Sequence, residues 1–293
     1  MATFFIYNFQ SIIIYFRVML FQDEVISFLQ KEKIAFSEKD FVGFKSKFPF
    51  VFLTDHQILL HCISLLHPNI KNISPDYFSK LCDAATVQNI RIINLWEDVW
   101  YHKKELVQSR ILALCGISKR VHARQTSILR IDKKEAEQFL NENHLQQNTN
   151  AYYKYGLYKQ DELVAVATFS KSRVMTDSSA LYRSYELVRF ASLCGITVNG
   201  GLSKLLHFFI EQYHPAHLMT YADRDWSRGN SYKKMGFDFL ENTSPQEFFI
   251  HPDEMIRLYP QRLVETENEL LQKGYLKIYN AGNSKFTLDR RNG

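Results

Sequence analysis

The stretch Val198-Asn-Gly-Gly-Leu-Ser-Lys stands between a strand-like run and a helix-like run. Glycines at such a junction let backbone amides approach a ligand, and the start of the following helix favours an anionic phosphate. Paired glycines also make a plain turn. A second stretch, Asp225-Trp-Ser-Arg-Gly-Asn-Ser-Tyr-Lys-Lys-Met-Gly-Phe, lies one strand further on. Read alone, its Tyr-x-x-x-Gly-Phe ending is a helix end with a C-cap glycine. A third set is basic: Lys171, Arg173, Arg183, Arg189, Arg224 and Arg228 interleave with Tyr182, Tyr185, Tyr221 and Trp226. Arginine pairs with phosphate and rings stack on bases, so this set suits a nucleic-acid surface. It equally suits a solvated basic face.

Elements of fixed period must position these residues. Phe21 to Gln30 reads as a short helix, Phe48 to Leu53 as a strand, Tyr77 to Gln88 as a helix and Ile90 to Trp96 as a buried strand. Glu97 to Leu114 reads as one amphipathic helix with Gly116 near its end. Val121 to Arg130 is a strand or a linker. Asp132 stands three residues before Glu135 and opens a capped helix to Asn143. Tyr153–Tyr158 and Leu163–Phe169 form a hairpin around Lys159-Gln-Asp-Glu. Then follow a strand over Tyr185–Ser192, a helix over Leu202–Tyr213 and a strand over His217–Tyr221. A short helix over Ser227–Met235 and a strand over Phe237–Glu241 complete the series.

Bulk properties set limits. A chain of 293 residues with 46% hydrophobic and 23% charged residues supports two ordinary domains and excludes disorder. A net charge of +5 permits a polyanionic partner without demanding one. Cys62, Cys82, Cys115 and Cys194 make no CxxC pair, which argues against zinc and a disulfide framework and for a reducing cytoplasm. The apolar leader up to Phe21 lacks a basic start and a cleavage site, so a core strand or helix is expected there in place of a secretory signal. Asn8, Gln10, Ser11 and Arg17 interrupt it, and no stable membrane insertion is expected. Translation from Met19 instead of Met1 is an open alternative.

The Gly-loop and the Tyr232–Phe237 ending together resemble the GNAT acyltransferase superfamily over about a hundred residues. Its pyrophosphate loop, Arg/Gln-x-x-Gly-x-Gly/Ala, falls on Val198, Gly201 and Ser203. The basic slot is Val198, and the Asn often found seven residues before the tyrosine is Asp225. The resemblance implies acetyl-CoA or another acyl-CoA as the small-molecule donor. Val188, Arg189, Val198, Asn199, Gly200, Gly201, Leu202, Ser203 and Lys204 would hold it. A backbone N–H of the strand Tyr185–Ser192, splayed from its neighbour, would polarise the thioester. Tyr232 would protonate the thiolate, and Asp223, Asp225 or Glu186 would accept the amine's proton. Ser203 is counted with these catalytic candidates.

A longer likeness, from Tyr77 to the C-terminus, is to phage-type Hef-like homing endonucleases. It rests on Ile90-Arg-Ile-Ile-Asn-Leu-Trp-Glu-Asp, Val121-His-Ala-Arg, Glu186-Leu-Val-Arg-Phe, Tyr221-Ala-Asp-Arg-Asp-Trp and Thr266-Glu-Asn-Glu-Leu. That family implies an N-terminal lobe similar to Vsr or PD-(D/E)XK nucleases, with carboxylates clustered around Mg²⁺. In the corresponding stretch, 48–67, the one carboxylate is Asp55, accompanied by His61 and His67. Glu97 and Asp98 follow a strand, where they also read as a helix N-terminal pair. The lobe is therefore expected to be a degenerate scaffold or binding domain without metal.

These readings lead to an α/β protein of two domains. Residues 1–120 form a small nuclease-like lobe, and 121–293 a GNAT-like mixed sheet flanked by helices. The leading function is acyl-CoA-dependent N-acyl transfer. Its acceptor is expected to be a nucleic-acid amine, in DNA or RNA, gripped by Lys171, Arg173, Arg224 and Arg228. The Mom DNA-modification enzymes, which resemble GNATs, offer a fold analogy for that pairing. The alternatives are a DNA-binding endonuclease-like protein and a non-catalytic binding module. Gly201→Glu is expected to block phosphate while sparing the fold. One acid cannot build the usual metal centre, so the purified protein should leave duplex DNA intact in Mg²⁺. Cleavage that disappears in Asp55→Asn would contradict this.

Overall fold

The computed structural model describes residues 19–38, 45–176 and 181–291; the apolar leader lies outside them. The chain forms two units. One comprises residues 1–102, Asp223–Arg228 and Thr243–Asn283, and the other Lys103–Ala222, Gly229–Asn242 and 284–293. The chain thus first passes between units at His102/Lys103, where the sequence suggested 120/121, and two later segments return to the first unit.

The same point breaks the helix expected over Glu97–Leu114. Two helices form instead, Glu97–His102 and Lys104–Leu114, and Lys103 between them is not helical (φ −136°, ψ 38°). The Lys103 ammonium donates to the carbonyls of Asn141 and His144, each at 3.2 Å.

In the first unit, a helix spans 19–31. Strands Phe36–Ser37, Phe50–Leu53, Ile58–Ile63 and Arg91–Trp96 then form one sheet in that order. The first three are antiparallel and the last runs parallel to Ile58–Ile63, from Ile58↔Arg91 to Ile63↔Trp96. Ile58–Ile63 is buried throughout, which accounts for its near-continuous apolar run. Helix Tyr77–Val87 buries Phe78, Leu81, Cys82 and Ala85, the spacing of one helical face. Phe78, Ile92 and Trp96 share a core with Phe248 and Ile278. Those last two come from a three-stranded sheet of Arg257–Leu258, Glu247–Ile250 and Leu276–Tyr279. This sheet and helix Glu267–Gln272, with its Thr266/Glu269 capping box, were not foreseen as elements.

In the second unit an eight-stranded mixed sheet runs Asp238–Asn242, Asn283–Asp289, His217–Asp223, Leu181–Ser192, Glu162–Phe169, Tyr153–Lys159, Ser127–Arg130. Strand Arg173–Thr176 pairs beside Leu181–Ser184. Ala165, Ala167 and Phe169 pack with Leu205, Leu206 and Phe209 of helix Gly201–Tyr213. Val166 and Ala191 pack with Ala136, Phe139 and Leu140 of helix Lys133–Asn143. The strand alternates its side chains, so the two helices cover opposite faces. Phe169 and Phe209 stack at 3.9 Å, and burying such a ring contributes about 1.5–3 kcal/mol. The Asp132 cap is as expected, its carboxylate accepting from Glu135 N at 2.8 Å.

The helix expected over Ser227–Met235 is shorter, Asn230–Lys234, because Gly229 adopts φ +70° as its N-cap. A Cβ at Gly229 would lie 2.2 Å from the Phe286 ring. Gly229→Ala should therefore cost about 2–4 kcal/mol, from overpacking and the left-handed backbone together. Urea denaturation checks this; a loss under 1 kcal/mol would show that the ring yields freely.

Candidate functional site

The second unit brings together Glu186, Val188, Arg189, Thr220 and Tyr232. Strand Leu181–Ser192 pairs in parallel with His217–Asp223 only from Ser184↔His217 to Leu187↔Thr220. The register on its other side shifts between Leu187 and Arg189, a bulge at Val188. A bulge bends its strand and raises the local twist. Beyond it, Arg189–Ser192 stay paired with Thr168–Ala165 alone. Alternate amides of that stretch therefore face away from the partner that remains. Where the parallel ladder ends, Thr220 Oγ1 donates to Leu187 O at 3.0 Å.

Tyr232 reaches this place from its one-turn helix, held by Phe237 and Phe286 at ring distances of 5.9 and 5.6 Å. Burial raises its phenol above the ordinary value, while the Thr220 hydroxyl, Arg110 and Arg189 pull it back. Burial also holds Glu186 above the ordinary carboxylate range, against Arg173 and Arg189. Arg189 thus acts on both the candidate acid and a candidate base. Its Nε donates to Gln147 O at 3.2 Å and its Nη1 to Val188 O at 3.0 Å. Burial, then Arg189, Arg110 and Lys103, drive the His144 imidazole well below its usual range.

The Gly-loop has the expected turn but different side-chain work. Gly200 caps helix Gly201–Tyr213 with φ +76°. Val198, in the slot of the basic residue, is buried, and a Cβ on Gly201 would meet its Cγ1 at 2.9 Å. Gly201 thus serves strand–helix packing, so Gly201→Glu would disturb the fold, contrary to expectation. Lys204 is not available to phosphate: its ammonium donates to Ala123 O at 2.9 Å and to Thr126 O. Asn199 is exposed and ends a strand, Ile196–Asn199, paired in parallel with Lys119–His122. Leu202 packs against the core, and Ser203 Oγ lies 3.4 Å from His207 Nδ1. Two side-chain contacts hold the preceding turn: Cys194 N donates to Asn143 Oδ1 and Gly195 N to Ser109 Oγ, both at 2.7 Å.

Four sequence-based candidates are corrected; all belong to the first unit. Asp225 is buried and accepts from Asn94 Nδ2 (2.9 Å), Trp96 Nε1 (3.1 Å) and Ala281 N (3.0 Å). Burial and Asp223 push its carboxyl up to about 7, against Asn94, Arg257 and Ala281. It knits three distant chain segments and is not a base for an amine. Asp223 Oδ1 accepts from Asp225 N at 3.0 Å, which builds the turn. Arg224 is buried, donating to Ala281 O, Ser79 O and the Asp83 carboxylate. Arg228 donates to Ile90 O, Ala85 O and Asn89 Oδ1. Both guanidinium groups thus serve main-chain carbonyls of the first unit, Arg224 buried and Arg228 half-buried. Lys171 and Arg173 are exposed, with Lys171 6.0 Å from the Tyr152 ring centre.

Among the described residues, no three His, Cys, Asp or Glu are grouped to hold a metal. Asp55 sits in a turn and accepts from Thr54 Oγ1 at 3.2 Å, and His61 is enclosed by side chains of the sheet core. Asp98 pairs with Arg257 at 2.6 and 2.9 Å, and Glu97 accepts from Ser64 Oγ and Leu65 N at 2.8 Å. The four cysteines are free thiols. No helix among the described residues is long and apolar enough to cross a membrane. Sequence reasoning missed Arg110 and Thr220: one reads as a solvated helix charge, the other as an ordinary strand residue.

No family model matches the sequence, and no curated protein matches it. Solved structures similar to part of this chain include acetyltransferases. One from Bacillus subtilis, in complex with CoA, is 16% identical, covers 56% of this chain and 98% of its own, and has a TM-score of 0.35. A GNAT family acetyltransferase from Elizabethkingia anophelis with acetyl-CoA bound gives 13%, 56%, 98% and 0.31. A KacTA–DNA complex gives 19%, 41%, 89% and 0.30.

Arg224→Ala should cost about 1–3 kcal/mol, because it takes the donor from the Ala281 and Ser79 carbonyls, while the exposed Asp83 carboxylate is left to water. Chemical denaturation measures it. A variant of unchanged stability would return Arg224 to the list of candidate ligand contacts.

Proposed function

We propose that the second unit transfers an acyl group from a CoA thioester to an amine. One observation carries this reading: the parallel ladder that ends at Leu187/Thr220 beside a bulge at Val188. The strand edge left where the parallel ladder ends suits an extended donor chain. The helix start at Gly201, with backbone N–H groups from Leu202 and Ser203, suits its phosphates. The loop lends no cationic side chain, so backbone amides and the helix dipole supply the attraction.

The chemistry follows from the residues at the parting. Glu186, held above the ordinary carboxylate range by burial, takes the proton of the attacking amine. A C–N bond forms at the thioester carbonyl, and an N–H near the bulge stabilises the oxyanion. As the C–S bond breaks, Tyr232 gives its proton to the departing sulfur, with Thr220 orienting the phenol. Arg110 and Arg189 favour negative charge there as it develops.

A nucleic-acid amine is the acceptor we favour. Lys171 and Arg173 are exposed, and Lys171 lies 6.0 Å from the Tyr152 ring centre, the mixture that grips phosphate and stacks on a base. The first unit then acts as a scaffold or binding lobe, the role left to a nuclease-like domain without its acids.

Tyr232→Phe should lower kcat about a hundredfold with little change in KM for acetyl-CoA, since it removes a proton donor and not a binding contact. In the unaltered protein, kcat/KM should rise with pH through a limb above the ordinary carboxylate value of about 4.3, and Glu186→Gln should flatten it. Stopped assays of thiol release across pH test both. Full activity in Tyr232→Phe would remove the acid from this reading.

A further inference from the structure

Ser46, His61, Asn94 and Tyr77 of the first unit form a chain of hydrogen bonds that acyl transfer from CoA does not use. Ser46 Oγ lies 2.6 Å from His61 Nε2, and His61 Nδ1 lies 3.0 Å from Asn94 Oδ1. The next link decides where the protons are. Asn94 Nδ2 lies 2.9 Å from Asp225 Oδ1, and Trp96 Nε1 and Ala281 N also donate to that carboxyl. A group accepting at both oxygens turns the Asn94 NH₂ toward itself, which points Asn94 Oδ1 at His61. Nδ1 must then carry the hydrogen, and Nε2 presents a bare lone pair to the Ser46 hydroxyl.

Tyr77 completes the arrangement. Its Oη accepts from Lys47 N at 2.7 Å and lies 3.0 Å from Ser46 Oγ. The phenol proton is therefore directed at Ser46 or at an oxyanion formed beside it. Phe48 N donates to Ser46 Oγ at 3.0 Å and fixes the rotamer. His61 and Asn94 are fully enclosed, whereas Ser46 and Tyr77 are half-buried and reach solvent. Burial lowers the His61 imidazole to about 4, so it is neutral, as a base must be, across the physiological range.

We propose that these four residues are a second catalytic centre, an esterase-type centre with Ser46 as nucleophile toward small activated acyl esters. Ser46 Oγ bonds to the ester carbonyl carbon while its proton passes to His61 Nε2. Asn94 holds the ring, and Tyr77 donates to the oxyanion. The ester C–O bond breaks, and His61 returns the proton to the departing alkoxide. Water, deprotonated by His61, then releases the acid and restores Ser46.

The test uses the full chain and a fluorophosphonate probe, which forms a Ser–O–P bond as fluoride leaves. Peptide mass spectrometry should place the label on Ser46 of the unaltered protein and find none on that peptide in Ser46→Ala. Tyr77→Phe should slow labelling tenfold to a hundredfold while melting within a few degrees of the parent. His61→Gln should also lose the label, but Tyr77→Phe decides if that core variant fails to fold. A folded parent that takes no label at Ser46, or takes it on another serine alone, overturns the proposal. Labelling of Tyr77→Phe at the parental rate overturns the oxyanion role.

Discussion

A strand can keep two hydrogen-bonded neighbours only while both run alongside it. Strand Leu181–Ser192 loses its parallel neighbour at Leu187, where Thr220 Oγ1 takes the last carbonyl of the ladder. The bulge at Val188 sits at that step, and the antiparallel neighbour continues to Ser192. Backbone that leaves a ladder must find other partners, and the donor site proposed above lies at this step. The surrounding side chains answer to the same step. Tyr232 and Glu186 both feel Arg189, the residue next to the bulge. Gly229 lets the short helix of Tyr232 close against Phe286.

The first unit depends on a different constraint. A carboxylate cannot stay buried without donors, and Asp225 has them from Asn94, Trp96 and Ala281. Three segments far apart in sequence are fixed by one side chain. Its neighbour Arg224 closes a second link, to Ser79, Asp83 and Ala281. The acidic and basic residues around Trp226 look like reagents in the sequence, and in the structure they are the fastening of this unit.

Elements with a strong period were legible. The hairpin Tyr153–Phe169, the helix after Gly200 and the capped helix after Asp132 stand within a residue or two of expectation. What stayed hidden depends on distant partners. Lys103 breaks a helix that its neighbours would continue, and its ammonium reaches carbonyls about forty positions on. Ile196–Asn199 becomes a strand only because Lys119–His122 lies beside it. Of the candidate site, Tyr232 and the Gly-loop could be read from spacing. The true partners of Asp225, Arg224 and Arg228 could not, because a charged residue in sequence looks the same whether it faces water or a buried carbonyl. Lys204 is the same case: its position fits a phosphate loop, and its ammonium serves Ala123 and Thr126.

The central claim is that the helix start after Gly200 and the parted strands receive a CoA thioester. Calorimetric titration of acetyl-CoA into the 293-residue chain tests it, with Ser203→Glu in parallel. Ser203 is half-buried in the first turn of the helix, its Oγ 3.4 Å from His207 Nδ1. The account predicts one acetyl-CoA per chain in the unaltered protein. In Ser203→Glu, whose carboxylate would repel phosphate, affinity should fall at least tenfold, about 1.4 kcal/mol, with the melting temperature unchanged. An unaltered protein that binds no acetyl-CoA, or a Ser203→Glu variant that binds it as tightly as the parent, would contradict it.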